Sequence, residues 1–302
     1  MKVPFGPREL EVGGPYLQKE LREANALRHN RQALRERFAE DGYLLVRGLH
    51  EPRKVEQARR VVAQELAREN LLAPGSDALE LLRAPGAGGK FWGGRKGITH
   101  HPAVQAVLES PVVFDFFGRF FAEPALTFDY KWLRAVGGGE NTGGHFDVVY
   151  MGRGSERLLT IWTPLGDVPV ELGSLAIIPG SHRLEEYARL RQTYGRMDVD
   201  RDRVAQGWFS KDPLEIVERF GGTWQTTDFR AGDVLVFGIF TMHASTNNTT
   251  DRYRISADTR FQPAADPVDE RWAGANPIGH YRWGSDPDKV VSMEKARAEW
   301  GL

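Results

Sequence analysis

The feature that most narrows the fold is a change of rhythm after Pro124, where short apolar or alternating runs begin to recur between turn-forming residues. The runs are LTFDYKWLRAV, GGHFDVVYM, RLLTIWTPL, GSLAIIPG, GDVLVFGIFTMHA and YRISADTRFQ. Separated by Gly, Pro, Asn and Asp, they read as the strands of an antiparallel sandwich or barrel, since a pleated sheet with one buried face needs period-two burial and sharp ends. One interval breaks the rhythm. Residues 183–222 are polar and charged and too long for a hairpin connection, so they are expected to fold into helices over one face of the barrel.

The residues before Pro124 have a different character and are expected to form a helical flank, about 1–122. Between Tyr16 and Glu40 charged, helix-favouring residues carry Leu17, Leu21, Leu27, Leu34 and Phe38 at a loosely helical spacing. GYLLVRGL, Gly42 to Leu49, reads as a strand, and Pro52 to Asn70 as a helix burying Val55, Ala58, Val61, Val62 and Leu66. Ala84 to Gly97 is glycine-rich and reads as a loop, and Val104 to Phe121 as a further helix. No internal repeat or interdomain linker interrupts the 302 residues, which are expected to form a single domain, 1–302. Its core is placed at about 123–263, with a C-terminal extension at 264–302.

Composition restricts the partners. With Lys+Arg 40 against Asp+Glu 41 the formal charge is -1, without the basic footprint of a nucleic-acid-binding protein. The opening MKVPFGPREL has no apolar leader and no later stretch has the ~18 apolar residues of a membrane span, so no membrane partner and a cytoplasmic location are expected. Cys 0 means that a metal site must be built from histidines and carboxylates.

Such a set is present. In GGHFDVV, His145 and Asp147 stand two apart, and on a strand positions i and i+2 share a face. His243 follows the apolar run DVLVFGIFTM, which would deliver it from elsewhere in the same barrel. Two histidines and one carboxylate form the facial set that leaves positions of iron(II) open for a chelating co-substrate and dioxygen. Eleven residues further on stands Arg254, with Ser256 on the same face of the strand-like YRISADTRF. A guanidinium binds a carboxylate in two-pronged fashion and a hydroxyl adds a third bond, which suits the distal carboxylate of 2-oxoglutarate. The other histidines, His29, His50, His100, His101, His182 and His280, have no partner at comparable spacing and read as surface or structural.

Over roughly Leu126 to Gln262 the sequence resembles the phytanoyl-CoA dioxygenase family of iron(II)- and 2-oxoglutarate-dependent oxygenases. The resemblance rests on GGHFDVVY, on the tryptophan of LLTIWTPLGDVPVELGSLAIIPGSHR with its PGSH turn, and on AGDVLVFGIFTMHASTNNTTDRYRIS with its His-to-Arg interval. It implies a mainly β fold with flanking helices around a double-stranded β-helix (jelly-roll, cupin-like) core. It implies iron held by His145, Asp147 and His243, Arg254 on the co-substrate, and Trp162 and Ser245 lining the co-substrate pocket. Some members use a lysine or glutamine of an earlier strand as well, for which Lys90 and Lys131 are the candidates. The implied reaction oxidises, most simply hydroxylates, a C–H bond of a small molecule with dioxygen, giving succinate and carbon dioxide. The rival readings are a cupin-type dioxygenase or isomerase without an oxoacid, against which Arg254 and Ser256 speak, and a jelly-roll binding protein without catalysis. The 183–222 excursion and the 84–97 loop are expected to cover the barrel mouth, with Arg203, Trp208, Phe209 and Lys211 available for contacts.

Overall fold

The computed structural model describes residues 1–95, 97–281 and 290–302; Lys96 and, within the C-terminal extension, 282–289 lie outside the described residues. The chain opens with a hairpin, β1 (Lys2–Phe5) and β2 (Arg8–Glu11), and a short strand, β3 (Leu17–Gln18). Next come α1 (Arg31–Asp41), β4 (Tyr43–Val46), α2 (Pro52–Arg68), β5 (Lys90–Gly94), α3 (Pro102–Leu108) and α4 (Pro111–Phe121). The barrel region holds β6 (Ala125–Thr127), β7 (Lys131–Val136), α5 (Val148–Met151), β8 (Leu159–Pro164) and β9 (Leu175–Ile177). It continues through α6 (Ala188–Gln192), α7 (Pro213–Phe220), β10 (Trp224–Gln225), β11 (Val234–Gly238), β12 (His243–Ser245) and β13 (Arg254–Pro263), and α8 (Met293–Glu299) lies near the end.

Two sheets form the jelly roll. The larger has the order β4-β11-β8-β13-β7-β5, with β6 on the far end of β13; the smaller has the order β12-β9-β10-β3. Period-two burial sorts each central strand between two layers. On β11, Val234 and Val236 join the α4 phenylalanines Phe116 and Phe117 in an outer cluster. Leu235 and Phe237 turn inward to Trp162 and to Leu175 and Ile177 of the smaller sheet. On β13, Ile255 and Ala257 pack outward beneath α2 and α3, and Phe261 stacks on Phe117 with ring centroids 4.4 Å apart. The opposite face of β13 is polar and points inward.

The flank departs from the expectation at several places, beginning with the β1–β2 hairpin. Helix α1 begins at Arg31, where the Asn30 side chain accepts the Ala33 N–H as a cap. The leucines before it are drawn elsewhere, because β3 pairs with β10 and Glu23 bridges Leu45. The helix expected at Val104 to Phe121 is two helices, broken where Pro111 cannot donate to the preceding turn and opens α4 at its first position. The glycine-rich stretch contains β5, paired along β7 from Lys90↔Ala135 to Gly94↔Lys131. Its glycines permit close approach, since a Cβ on Gly93 would sit 2.2 Å from the Tyr130 hydroxyl. The excursion forms α6 and α7 with two 3₁₀ turns, as expected.

Candidate active site

The metal-binding set is assembled by a crossing between the sheets. After β11 the chain turns at Gly238 to Thr241 and enters β12 in the other sheet, presenting His243. His145 bridges it antiparallel, each backbone N–H donating to the other's carbonyl at 3.0 and 3.1 Å. The rings consequently lie 4.0 Å apart. Each Nδ1 is held by the carbonyl two residues back, Gly143 O at 2.8 Å and Thr241 O at 3.0 Å, which leaves both Nε2 lone pairs free to point forward.

Asp147 is not on a strand with His145. It adopts helical angles at the start of α5, so its approach comes from a turn and not from strand alternation. It nonetheless completes the set, for its Oδ1 is 3.6 Å from the Nε2 of His145 and of His243. Three bonds of ~2.1 Å at right angles would set donors about 3 Å apart, so side-chain rotations of a few degrees bring this set onto one ion. The three donor atoms lie within 4.8 Å of one another and all three residues are buried. Oδ2 is engaged separately, accepting from the Thr160 hydroxyl and from Arg260 Nη2 at 3.2 Å. Burial pushes the Asp147 carboxyl up, but Arg260 and the two histidines outweigh it and hold it well below the usual carboxylate range. Burial and the neighbouring His145 lower His243 to about 4, so the imidazole is neutral and available as a ligand at pH 7.

These residues open on a cavity of about 290 Å³ that also reaches Trp162, Ser245 and Arg254. Arg254 is 2% exposed; its Nη1 donates to Gly173 O at 2.6 Å, while its Nε has no partner. Among the described residues no carboxylate forms an ion pair with it, and burial lowers its pKa to about 10. A buried cation with one backbone acceptor calls for an anion. Its guanidinium carbon is 5.8 Å from the centre of the Trp162 ring. The Ser245 hydroxyl accepts the Thr142 N–H at 2.9 Å.

Other expected residues are placed differently. Ser256 is fully buried with an unpartnered Oγ, on the inward face of β13, but it does not line the cavity. Lys131 is turned away, its ammonium held by Glu109 at 2.9 Å and by the Phe128 carbonyl. Lys90 pairs with Glu69 at 2.5 Å. Neither lysine lines the cavity, because successive strand residues alternate faces: Trp132 and Arg134 take the inward positions on β7, and Phe91 does so on β5. His280, read from sequence as structural, does line it, as do Asp258 and Arg260. The last two were accessible to the same reasoning that found Arg254 and Ser256, by continuing the period of two along β13. Of the excursion, Trp208 reaches the cavity, while Phe209 is buried in the core; Phe91 of β5 reaches it from the glycine-rich segment.

A jelly roll carrying two histidines, one carboxylate and a buried arginine in one cavity defines a mononuclear non-haem iron oxygenase. The chain belongs to the phytanoyl-CoA dioxygenase (PhyH) family, which it matches over residues 38–256. It is accordingly an enzyme of the iron- and 2-oxoglutarate-dependent class, and the His145, Asp147, His243 set fits the iron site. Solved structures of the same fold include the epimerase SnoN in complex with Fe3+, alpha ketoglutarate and nogalamycin RO (21% identity, 84% of this chain and 96% of that one, TM-score 0.57). The carbocyclase SnoK from nogalamycin biosynthesis is similar at 18% identity (86% and 98% covered, TM-score 0.56). So is EctD from S. alaskensis at 18% (97% and 94% covered, TM-score 0.55). No curated protein matches in sequence. Among the described residues no helix is long and apolar enough to cross a membrane.

Proposed function

We infer that His145, Asp147 and His243 are the protein ligands of iron(II), that Arg254 anchors the distal carboxylate of 2-oxoglutarate, and that the enzyme hydroxylates a C–H bond of a small molecule. Bound together, iron and 2-oxoglutarate supply dioxygen activation, with succinate and carbon dioxide as the co-products. The chain's own part is to bind, orient and shield. The backbone carbonyls on the two Nδ1 atoms fix the imidazole orientation, and Thr160 and Arg260 reserve one oxygen of Asp147 so that the other faces the histidines. Trp162 and Ser245 wall the co-substrate end, with Ser256 behind them on the Arg254 strand face. Residues 1–302 act in this reading as one oxygenase domain working on a small molecule in the cytoplasm, without a nucleic-acid or membrane partner.

The observation that carries the reading is Arg254, a buried guanidinium that forms no ion pair among the described residues and lines the same cavity as the metal set. It also weighs against an oxoacid-independent cupin, which has no use for it. Calorimetric titration of 2-oxoglutarate into the anaerobic iron(II) enzyme tests this. Arg254→Ala is expected to weaken binding by about thirtyfold or more, the effect of ~2 kcal/mol for truncating a buried charged pair, while iron affinity stays within a few-fold. Unchanged co-substrate affinity in the variant refutes the assignment.

A further inference from the structure

The cavity has charge left over. Among the described residues lining it, Arg134, Arg254 and Arg260 stand against Asp147 and Asp258. On the reading above, the two charges of iron(II) cancel those of the dianionic co-substrate, so apart from the imidazoles one positive charge remains uncompensated. An uncompensated charge in a site lined by buried residues favours a ligand of opposite sign.

The residue with unmet capacity is Arg260. It is 4% exposed. Among the described residues its Nη2 shares the Asp147 carboxylate at 3.2 Å, its Nε meets only the Met151 sulfur at 3.1 Å, a weak acceptor, and its Nη1 has no partner. Arg134 is already committed to Asp258 at 3.1 Å across β7 and β13. The guanidinium of Arg260 lies 4.6 Å from the centre of the Trp132 ring, and Tyr130 packs on the same indole at 4.6 Å. With Phe91, Tyr150 and Trp208 these rings give the cavity a largely aromatic wall.

We propose that the substrate is a flat, monoanionic small molecule, most simply an aromatic carboxylic acid, whose carboxylate is bound by Arg260 with its ring among the aromatic side chains that line the cavity. This rests on the assignment of Arg254 to 2-oxoglutarate. Binding places the acid group beside the carboxylate that orients the metal, so the oxidised carbon lies close to the acid end of the substrate. The substrate closes the charge balance of the cavity, and a neutral analogue leaves it open.

The test uses the anaerobic iron(II) enzyme saturated with 2-oxoglutarate, with co-substrate binding verified calorimetrically in the same preparation. Benzoate and phenylacetate are then titrated against methyl benzoate and benzamide. The acids are expected to bind at least about tenfold more tightly than the neutral pair, as a charge-assisted hydrogen bond gives. Arg260→Gln is expected to abolish that preference, and Arg260→Lys to keep part of it. Should Arg260→Gln fail to fold or to hold metal, the wild-type comparison and Arg260→Lys decide the matter. Equal binding of acids and neutral analogues by the wild type overturns the proposal, as does an acid preference that persists in Arg260→Gln. Competition of the acids with 2-oxoglutarate overturns it too, by placing them on Arg254. If 2-oxoglutarate itself does not bind, the functional reading has failed first; if it binds and the acids do not, the substrate class alone has.

Discussion

Buried polar side chains in this chain fall into two kinds, those held by partners and those left waiting, and His50 belongs to the second without belonging to the site. It is 3% exposed, its backbone N–H donates to Gly232 O, and neither ring nitrogen has a partner among the described residues. Burial lowers its pKa from 6.5 to about 4. Between those values the unfolded chain binds a proton that the folded chain refuses, so stability is full above pH 6.5 and is lost as pH falls towards 4. From pH 7 to 5 the loss attributable to His50 is about 2 kcal/mol. Replacing it with an apolar residue of similar size removes two unsatisfied nitrogens as well as the titration. His50→Leu is therefore expected to be neutral or stabilising at pH 7 and to show a shallower fall in urea midpoint between pH 7 and pH 5. A slope equal to that of the wild type would show that burial of His50 is not the source of acid sensitivity.

At the scale of elements, the join between α1 and β4 packs directly against the turn that precedes β12. Gly42 ends α1 in the left-handed conformation, φ 80°, with its N–H on Phe38 O. A Cβ there would lie 2.5 Å from His182 Nδ1 and 2.9 Å from Thr241 Oγ1. Gly42→Ala thus combines backbone strain with a clash against the turn that delivers His243, and is expected to cost about 2 kcal/mol or more. Thermal unfolding and iron affinity measured together should both fall, and a variant as stable as the wild type would deny that turn its tight packing. Such elements were partly legible. GYLLVRGL and the Pro52 helix announce themselves by bounded apolar runs, and β13 by its alternation of Arg254, Ser256, Asp258 and Arg260 with Ile255, Ala257 and Phe261. The extended segment at Leu17 and the strand within the glycine-rich stretch were not, since both are fixed by partners far along the chain, Trp224 and Leu133 among them. His145 and Asp147 do lie together, but not by strand alternation, because Asp147 stands at the N-cap of α5.

On the scale of the whole molecule, the excursion and the C-terminal extension are tied to the barrel by one buried cation. Arg271 is 0% exposed and pairs with Asp200 and with Asp269 at 2.5 Å, lies 3.8 Å from Asp198, and donates to Tyr150 O at 2.8 Å. Asp200 also holds His280, at 3.1 Å, against the cavity. Nothing in the local sequence signals this arrangement: DVDRD and VDERW read as solvated charge, and the Asp200 to Arg271 pairing spans 71 residues. Burial raises the Asp198 and Asp200 carboxyls, but Arg153, His280 and Arg271 more than offset it and hold both below the usual range. Groups of that kind stabilise the fold above their unfolded pKa of about 3.8 and cease to do so as pH falls through their folded values. Arg271→Met strands these carboxylates without their cation and is expected to cost about 3 to 5 kcal/mol at pH 7. Deprived of Arg271, their pKa values rise, so protonation relieves the variant at a pH where the wild type gains nothing. Urea unfolding of both proteins at pH 7 and at pH 5 should show the deficit narrowing on acidification. A deficit below 1 kcal/mol, or one that does not change with pH, would mean that the excursion and extension are held on the barrel by packing around Trp272 and Tyr194, with the ion network adding little.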